Sequence, residues 1–356
     1  MTVRNARNIS VTVFLIAALT VGALASEARQ QDYDVIISGG RILDGTGNPW
    51  FTADVGIFRD RILLIDDLSE ASAPIVLDAT GLYVTPGFID VHSHAAEGLT
   101  APDRSDAKTL ITQGLTTVVV NPDGRSPDIQ EQRHALGEHG LGVNVAQMVG
   151  HGSTRRTVTG MEDRQATPAE LNRMRDIVRV GMDAGAFGLS SGLFYSPGSY
   201  AELSEVITLA EVAAEYGGVY ASHIRDEADY SIGLVAAVDE VIEVARKAGI
   251  PGVVTHIKAL GPNVWGESRT VIEHISQARN EGVEMYADQY PYEASSTGLS
   301  AALLPRWSQA GGADALAKRF AELETRVRIR EAMVGNLARR GGADRLQFTG
   351  GGPGIE

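Results

Sequence analysis

LYVTPGFIDVHSH, residues 82–94, places a turn signal at Pro86-Gly87 ahead of a short apolar run, Phe88, Ile89 and Val91, that reads as a buried strand. Side chains two residues apart on a strand point to one face, so Asp90, His92 and His94 all look the same way. At a rise of roughly 3.3 Å per residue, the two imidazoles stand about 7 Å apart, close enough to share one metal ion. A bare H-x-H is equally compatible with two satisfied structural histidines. The rest of the chain has to decide between these readings.

The 356 residues are 44% hydrophobic and 21% charged, a globular composition with room for one large domain and a small one. A formal net charge of −14, with no basic run, argues against nucleic acid as a partner. At the beginning, Arg4 and Arg7 precede the apolar run Ile9–Ala25, and Ala23-Leu24-Ala25 supplies small residues for cleavage. Residues 1–25 therefore read as a secretory signal, with a retained anchor as the alternative. The expected location is periplasmic or secreted, with no membrane association after cleavage. The chain contains no cysteine, so neither a disulfide nor a lipoprotein anchor can form.

Residues 33–83 alternate short strands with tight turns, at Gly39-Gly40, Asp44-Gly45 and Thr80-Gly81, and read as a small β unit of hairpin strands that would be marginal alone. From residue 84 onward a different unit repeats. β-branched runs end in polar residues and alternate with amphipathic segments: TTVVVNPD (116–123), GVNVAQMVGH (142–151), GAFGLSSGLFY (185–195), GGVYASH (217–223), GVVTH (252–256) and GVEMYADQY (282–290). Thr167-Pro168-Ala169-Glu170 opens a helix with a capping box and a first-turn proline, and Gly217, Gly249 and Gly282 close later ones. Strand and helix alternating in this way predict an α/β fold of the TIM-like (β/α) barrel type. About seven barrel strands precede Tyr290. Helices are expected near 312–322 and 324–340, and the end, Gln347 to Glu356, is glycine-rich and reads as unstructured. No eighth strand is legible before Glu356, so the barrel over residues 84–356 is expected to be incomplete, as in a fragment.

Chemistry in a parallel barrel sits at the carboxyl ends of the strands. His92, His94, Asp123, His151, His223 and His256 all fall at such ends, which takes five of the eight histidines. Any one of them could be a core residue. Four histidines converging with a carboxylate suit zinc or another divalent first-row ion.

At these residues the chain resembles the amidohydrolase superfamily, through PGFIDVHSH. It is similar to its N-acyl-D-amino-acid deacylase (D-aminoacylase) branch through FGLSSGLFYSPGSYA, ASHIRDE, VTHIKALG with Trp265-Gly266, and ADQYPYEASSTGL. The resemblance spans about Tyr33 to Trp307. It implies a distorted barrel with a small β-sandwich formed by both chain ends, and metal-assisted hydrolysis of a small N-acyl amino acid. It makes His92, His94, His223 and His256 ligands of one or two zinc ions. Asp123 stands where the branch carries a cysteine, either as a replacement ligand or as a turn residue before Gly124. Lys258, Tyr290 and Ser296 match positions that grip the substrate carboxylate, although Lys258 could be a solvated lysine and Ser296 a loop hydroxyl. The branch's catalytic aspartate ends an eighth strand, which is expected beyond Glu356. No catalytic residue is therefore assigned within this chain, whose activity is expected to be impaired. Asp90 and Asp288 are the nearest spare carboxylates. Arg225, Asp226 and Glu227 read as residues supporting the ligands, with His151 near the pocket. A cyclic amidohydrolase of the dihydroorotase or hydantoinase type is the rival enzyme. It is disfavoured because no lysine occurs between Leu115 and Gly217 to form a carboxylated strand-four ligand. A non-catalytic metal-binding relic is the third reading.

Overall fold

A computed structural model describes residues 33–350. The expected signal at 1–25 lies outside the described residues. So does Glu356, the point after which the eighth strand and its aspartate are expected. The chain divides into two compact units, with the boundary between Gly87 and Phe88.

The first unit is a five-stranded sheet. β1 (Val35–Ile42) pairs antiparallel with β2 (Phe51–Phe58), which pairs antiparallel with β3 (Arg61–Asp66). The remaining strands depart from the hairpin expectation. β4 (Ile75–Asp78) and β5 (Tyr83–Val84) both run parallel to β1: residues 67–74 carry the chain back to the Val35 end of β1, and β5 then continues in the direction of β4 to pair with Arg41 and Ile42. Its core is small: Tyr33, Ile36 and Leu68 are buried together, while Ile62, Leu64, Ile75 and Val76 remain exposed.

The second unit carries seven parallel strand positions. β6 (Phe88–Ser93), β7 (Leu115–Val120) and β8 (Asn144–Gln147) form one sheet. β9 (Val149–Gly150), β10 (Gly188–Gly192), β11 (Val219–His223), β12 (Gly252–Val254) and β13 (Met285–Ala287) form another. Only Met148 separates β8 from β9, and its N–H donates to Val120 O at 3.1 Å, so the third position is one strand interrupted as it passes from one sheet to the next. Among the described residues β6 and β13 each have a partner on one side alone, and Phe88, Ile89 and Val91 of β6 are exposed. The architecture is α/β, with barrel-like parallel sheets.

Helices α1 (Ile129–Gly137), α2 (His151–Thr159), α3 (Pro168–Asp183), α4 (Leu203–Ala214), α5 (Leu234–Ala248) and α6 (Ser268–Asn280) lie between successive strands. α7 (Gly312–Ala321) and α8 (Leu323–Arg339) follow. α3 shows how sequence sets these boundaries. Thr167 Oγ1 accepts from Glu170 N at 3.3 Å and Glu170 Oε2 accepts from Thr167 N at 2.8 Å, closing the capping box. Arg164 clamps the same carboxylate with two bonds of 2.8 and 2.7 Å. Met174, Val178, Gly181 and Met182 then recur on one buried face, and the helix gives way at Gly185, whose φ of +95° favours glycine. That face joins Val149, Leu189, Leu209, Tyr220, Val241 and Met285 in the main core, which anchors the second sheet from β9 to β13. The core fixes the strands, and so fixes what their carboxyl ends present.

Thr167→Ala removes one half of the capping box while leaving the buried face intact. It should cost about 1 kcal/mol, read as a lower urea midpoint with an unchanged slope. An unmoved midpoint would show that the box does not hold this helix.

Candidate metal centre

Five side chains meet at the carboxyl ends of four strands. His92 and His94 close β6, Asp123 follows β7, His223 ends β11 and His256 follows β12. Asp123 is the hub. Its Oδ1 lies 3.6 Å from His92 Nε2, 3.5 Å from His223 Nδ1 and 3.5 Å from His256 Nε2, and its Oδ2 lies 3.4 Å from His94 Nε2. Good N–H···O bonds centre near 2.9–3.0 Å. Ligand atoms held at 2.0–2.2 Å around a tetrahedral ion stand roughly 3.3–3.6 Å apart. The spacing therefore suits an ion between these groups better than hydrogen bonds among them. Both ring nitrogens of His92 and of His223, and Oδ1 of Asp123, are buried without a hydrogen-bond partner among the described residues. Orphaned buried polar atoms of this kind are costly unless something else engages them. Two ligand groups emerge, His92 with His94 and Asp123, and Asp123 with His223 and His256, so the carboxylate can bridge two ions or serve one. The donor set, imidazole and carboxylate, fits zinc.

The charges are arranged accordingly. Burial lowers the His92 imidazole to about 4, against a smaller upward pull from Asp123, so this ring is neutral and ready to ligate. Burial would raise the Asp123 carboxyl, yet the histidines around it outweigh that and hold it well below the usual carboxylate range. Burial would lower His256, but Asp123 and Glu227 outweigh it and hold the ring up at about 9. Glu227 is the supporting carboxylate. Its Oε1 lies 3.0 Å from His256 Nδ1 and engages Lys258. Burial opposes its charge too, but His223, His256 and Lys258 keep it ionised, with a value of about 2. A carboxylate on Nδ1 leaves Nε2 of His256 facing Asp123, the familiar way of orienting a ligating ring.

The Asp123 loop is strained and heavily braced. Asn121 and Asp123 have φ of +66° and +58°, and His256 has +37°, conformations rare for residues with a Cβ. The Asn121 amide exchanges bonds of 2.7 and 2.8 Å with Gln132, and donates to Met148 O at 3.1 Å. Ser190 Oγ donates to Asn121 O at 2.6 Å and accepts from Gly124 N at 3.2 Å. Gly192 packs so closely that a Cβ there would sit 2.2 Å from Asp123 O. Sequence reading did not find Ser190, Gln132 or Gly192 in this role, because none carries a recognisable chemistry. The signal was the small-residue run GLSSG in a strand buried at every position.

The other expected site residues are placed as follows. Lys258 Nζ engages Glu227, lies 2.8 Å from His256 Nδ1 and stands 5.6 Å from the centre of the Tyr290 ring. The Tyr290 hydroxyl is buried without a partner among the described residues. Ser296 lines a cavity of about 1170 Å³ that also reaches His94, Asp123, Tyr195 and Arg306. His151 is withdrawn from that cavity: it is fully buried, with Nε2 at 2.9 Å from Glu205, which Arg155 also engages. Asp90 Oδ1 accepts from His92 N at 3.0 Å. Asp288 Oδ1 accepts from His256 N at 2.5 Å, leaving Oδ2 buried and unpartnered, and burial raises its carboxyl. Asp226 accepts from the backbone of Ala228, Ser231 and Gly233, and Arg225 pairs with Glu240. These two organise loops. The catalytic aspartate expected beyond Glu356 lies outside the described residues; within them, Asp90 and Asp288 accept from the backbone N–H groups of His92 and His256. Tyr195 was not singled out from sequence, yet its ring lies 4.6 Å from that of His223, and burial pushes its hydroxyl up to about 12.

Gly192→Ala should displace the Asp123 loop, halving bound metal or worse while helical circular dichroism is kept; full metal content in that variant would show that the close approach does not position the carboxylate. A second prediction follows from His256. Its folded value of about 9 lies above the ordinary 6.5, so the ion pair stabilises the metal-free protein fully below about pH 6.5 and is lost as pH rises through 9. Metal must displace that proton, so zinc affinity should rise about tenfold per pH unit from 7 to 9, with one proton released in calorimetry. A pH-independent affinity over that interval would sink this assignment.

Known proteins carry similar sequences and folds. The amidohydrolase family model matches residues 76–323. N-acyl-D-glutamate deacylase of Alcaligenes xylosoxydans xylosoxydans is 38% identical over 293 residues, 75% of this chain and 59% of that protein. D-aminoacylase of the same organism is 35% identical over 298 residues, 77% of this chain and 60% of that protein. The crystal structure of an N-acyl-D-glutamate deacylase from Bordetella bronchiseptica, complexed with zinc and a phosphonate inhibitor, matches with a TM-score of 0.71 at 34% identity, covering 87% of this chain and 70% of that one. The chain spans about 60% of the length of the two Alcaligenes relatives. On the family match across most of the second unit, together with these relatives, the chain belongs to the amidohydrolase family.

Proposed function

We propose that this chain forms the zinc-binding part of a hydrolase of linear N-acyl amides, acting on N-acyl-D-amino acids. The observation that supports this most directly is the carboxylate of Asp123 set 3.4–3.6 Å from four imidazole nitrogens. Identity of 33–38% to three curated deacylases of N-acyl-D-amino acids favours this chemistry over others of the family.

A bound zinc ion would supply an acidified water and a Lewis acid for the scissile carbonyl. The chain's own groups do the rest. His92, His94, His223 and His256 would hold the ion with Asp123, and Glu227 fixes the ring of His256. The buried, unpartnered hydroxyl of Tyr290 is free to donate to a substrate carboxylate, and Ser296 offers a second hydroxyl from the cavity wall. Lys258 brings its ammonium to the same corner, against Glu227 and the Tyr290 ring. Collapse of the tetrahedral intermediate requires a proton for the leaving amine. Asp90 and Asp288 are spare carboxylates beside the ligands. Both already accept from ligand backbone N–H groups, so an acid at the end of an eighth strand, beyond Glu356, fits that role better. This reading includes an eighth barrel strand and a sandwich that enlarges the first unit's sheet. The segment 1–25 supports export to the periplasm or medium, and no described helix is long and apolar enough to cross a membrane.

Zinc- or cobalt-loaded protein, extended through an eighth strand, should hydrolyse N-acetyl-D-methionine or N-acetyl-D-glutamate and leave hydantoin and dihydroorotate intact. His223→Asn should lower kcat by at least a hundredfold together with metal content. Stoichiometric zinc without hydrolysis of any linear amide would favour a binding relic, and preferential opening of ring amides would favour a cyclic amidohydrolase.

A further inference from the structure

His151 is the one strand-end histidine that takes no part in the metal centre. It opens α2 directly after β9, and with Arg155, one helical turn on, it is fully buried. Both reach across to Glu205 on α4: His151 Nε2 donates to Oε1 at 2.9 Å, and Arg155 engages Oε2. The guanidinium also engages Arg164 O, so the carboxylate is clamped on both oxygens and the clamp is tied to the chain ahead of α3. Together His151 and Arg155 hold Glu205 below the usual carboxylate range against its burial. Apolar side chains of the same volume often pack as stably as a buried ionic group. Stability alone therefore gives no reason for three such groups at the end of a barrel strand.

The free edge of the ring shows what the group faces. His151 Nδ1 is buried without a partner among the described residues, and a Cβ on Gly198 would lie 3.6 Å from it. Gly198 ends a turn that starts at Gly192, where Tyr195 N donates to Gly192 O at 3.0 Å. The other side of this turn, with Tyr195, Ser196 and Pro197, is cavity wall. The turn packs on the metal centre backbone to backbone. A Cβ on Gly198 would lie 2.9 Å from Gly192 O, and one on Gly192 only 2.2 Å from Asp123 O. No side chain fits between these segments, so a displacement of the turn is passed on rather than absorbed. The same turn carries Tyr195, whose ring lies 4.6 Å from that of His223.

We propose that His151, braced by Glu205 and Arg155, is a positioning residue that holds the 192–198 turn against the Asp123 loop and so sets Tyr195 on the ring of His223. It lies behind the cavity wall, away from substrate and metal, and acts through the turn. The inference rests on the metal centre, but the contact between Tyr195 and His223 can be read without metal.

The test therefore starts with metal-free protein. The Tyr195 ring shifts the nuclear magnetic resonance signals of the His223 ring protons, and loss of that shift in Tyr195→Leu assigns it. His151→Phe should lose at least half of the shift with helical circular dichroism unchanged. His151→Gln, whose amide can still donate to Glu205, should keep it. In zinc-loaded protein His151→Phe should speed release of zinc to a chelator about tenfold, but less than about twofold in a Tyr195→Leu background. An unchanged His223 signal in His151→Phe would overturn the proposal whether or not zinc binds. Equal acceleration in both backgrounds would overturn the route through Tyr195. Should His151→Phe not fold, Glu205→Gln loosens the ring at unchanged shape and is read by the same signal, where a partial loss is expected and full retention would overturn the proposal.

Discussion

A single carboxylate, surrounded by imidazoles and largely buried, sets the terms for this structure. Asp123 at the hub costs several kcal/mol to desolvate unless a cation answers it. In the metal-free protein that cation is a proton on His256, held there by Asp123 and Glu227 together. A divalent ion held by Asp123 and the histidines would answer the same charge. Proton and metal therefore compete for one place, and the neutral state of His92 leaves it committed to the metal from the outset. Lys258 is part of this balance. By engaging Glu227 it keeps a second buried carboxylate ionised beside the histidines.

The scaffold sustains this by aiming side chains from strand ends that are themselves immobile. β10 contributes no ligand, yet its serines and glycines are buried throughout and hold the Asp123 loop from behind. Left-handed backbone at Asn121, Asp123 and His256 costs of order 1–3 kcal/mol each. Bonds from Gln132, Met148, Ser190 and Asp288 offset that cost. Strain of this kind persists only where the surroundings over-determine it, which fits the site's position above the main core. His94 departs from the pattern: its side chain is 69% exposed, at the end of a strand that has one neighbour among the described residues.

An aspartate at the hub has chemical consequences. Carboxylate is a harder ligand than thiolate and would leave a bound zinc a stronger Lewis acid. It also has two oxygens, and the structure uses both, one toward His94 and the other toward the remaining three rings. The division does not follow the two ligand groups, since His92 shares Oδ1 with His223 and His256 but groups with His94.

Periodicity and turn chemistry made the α/β architecture legible in the sequence, since alternating β-branched runs and capped amphipathic helices have few other solutions. Strand-end histidines were equally legible, because a parallel strand delivers its last polar residues to one face whatever its neighbours are. Which oxygen of Asp123 meets which ring was not legible, nor was the pairing of Lys258 with Glu227, nor the withdrawal of His151 to Glu205. Those depend on contacts between residues far apart in the chain, and on burial that gives charge its cost. The parallel docking of β4 and β5 on β1 escaped for a related reason: local alternation fixes a strand, but only the path of the connecting loop fixes its direction.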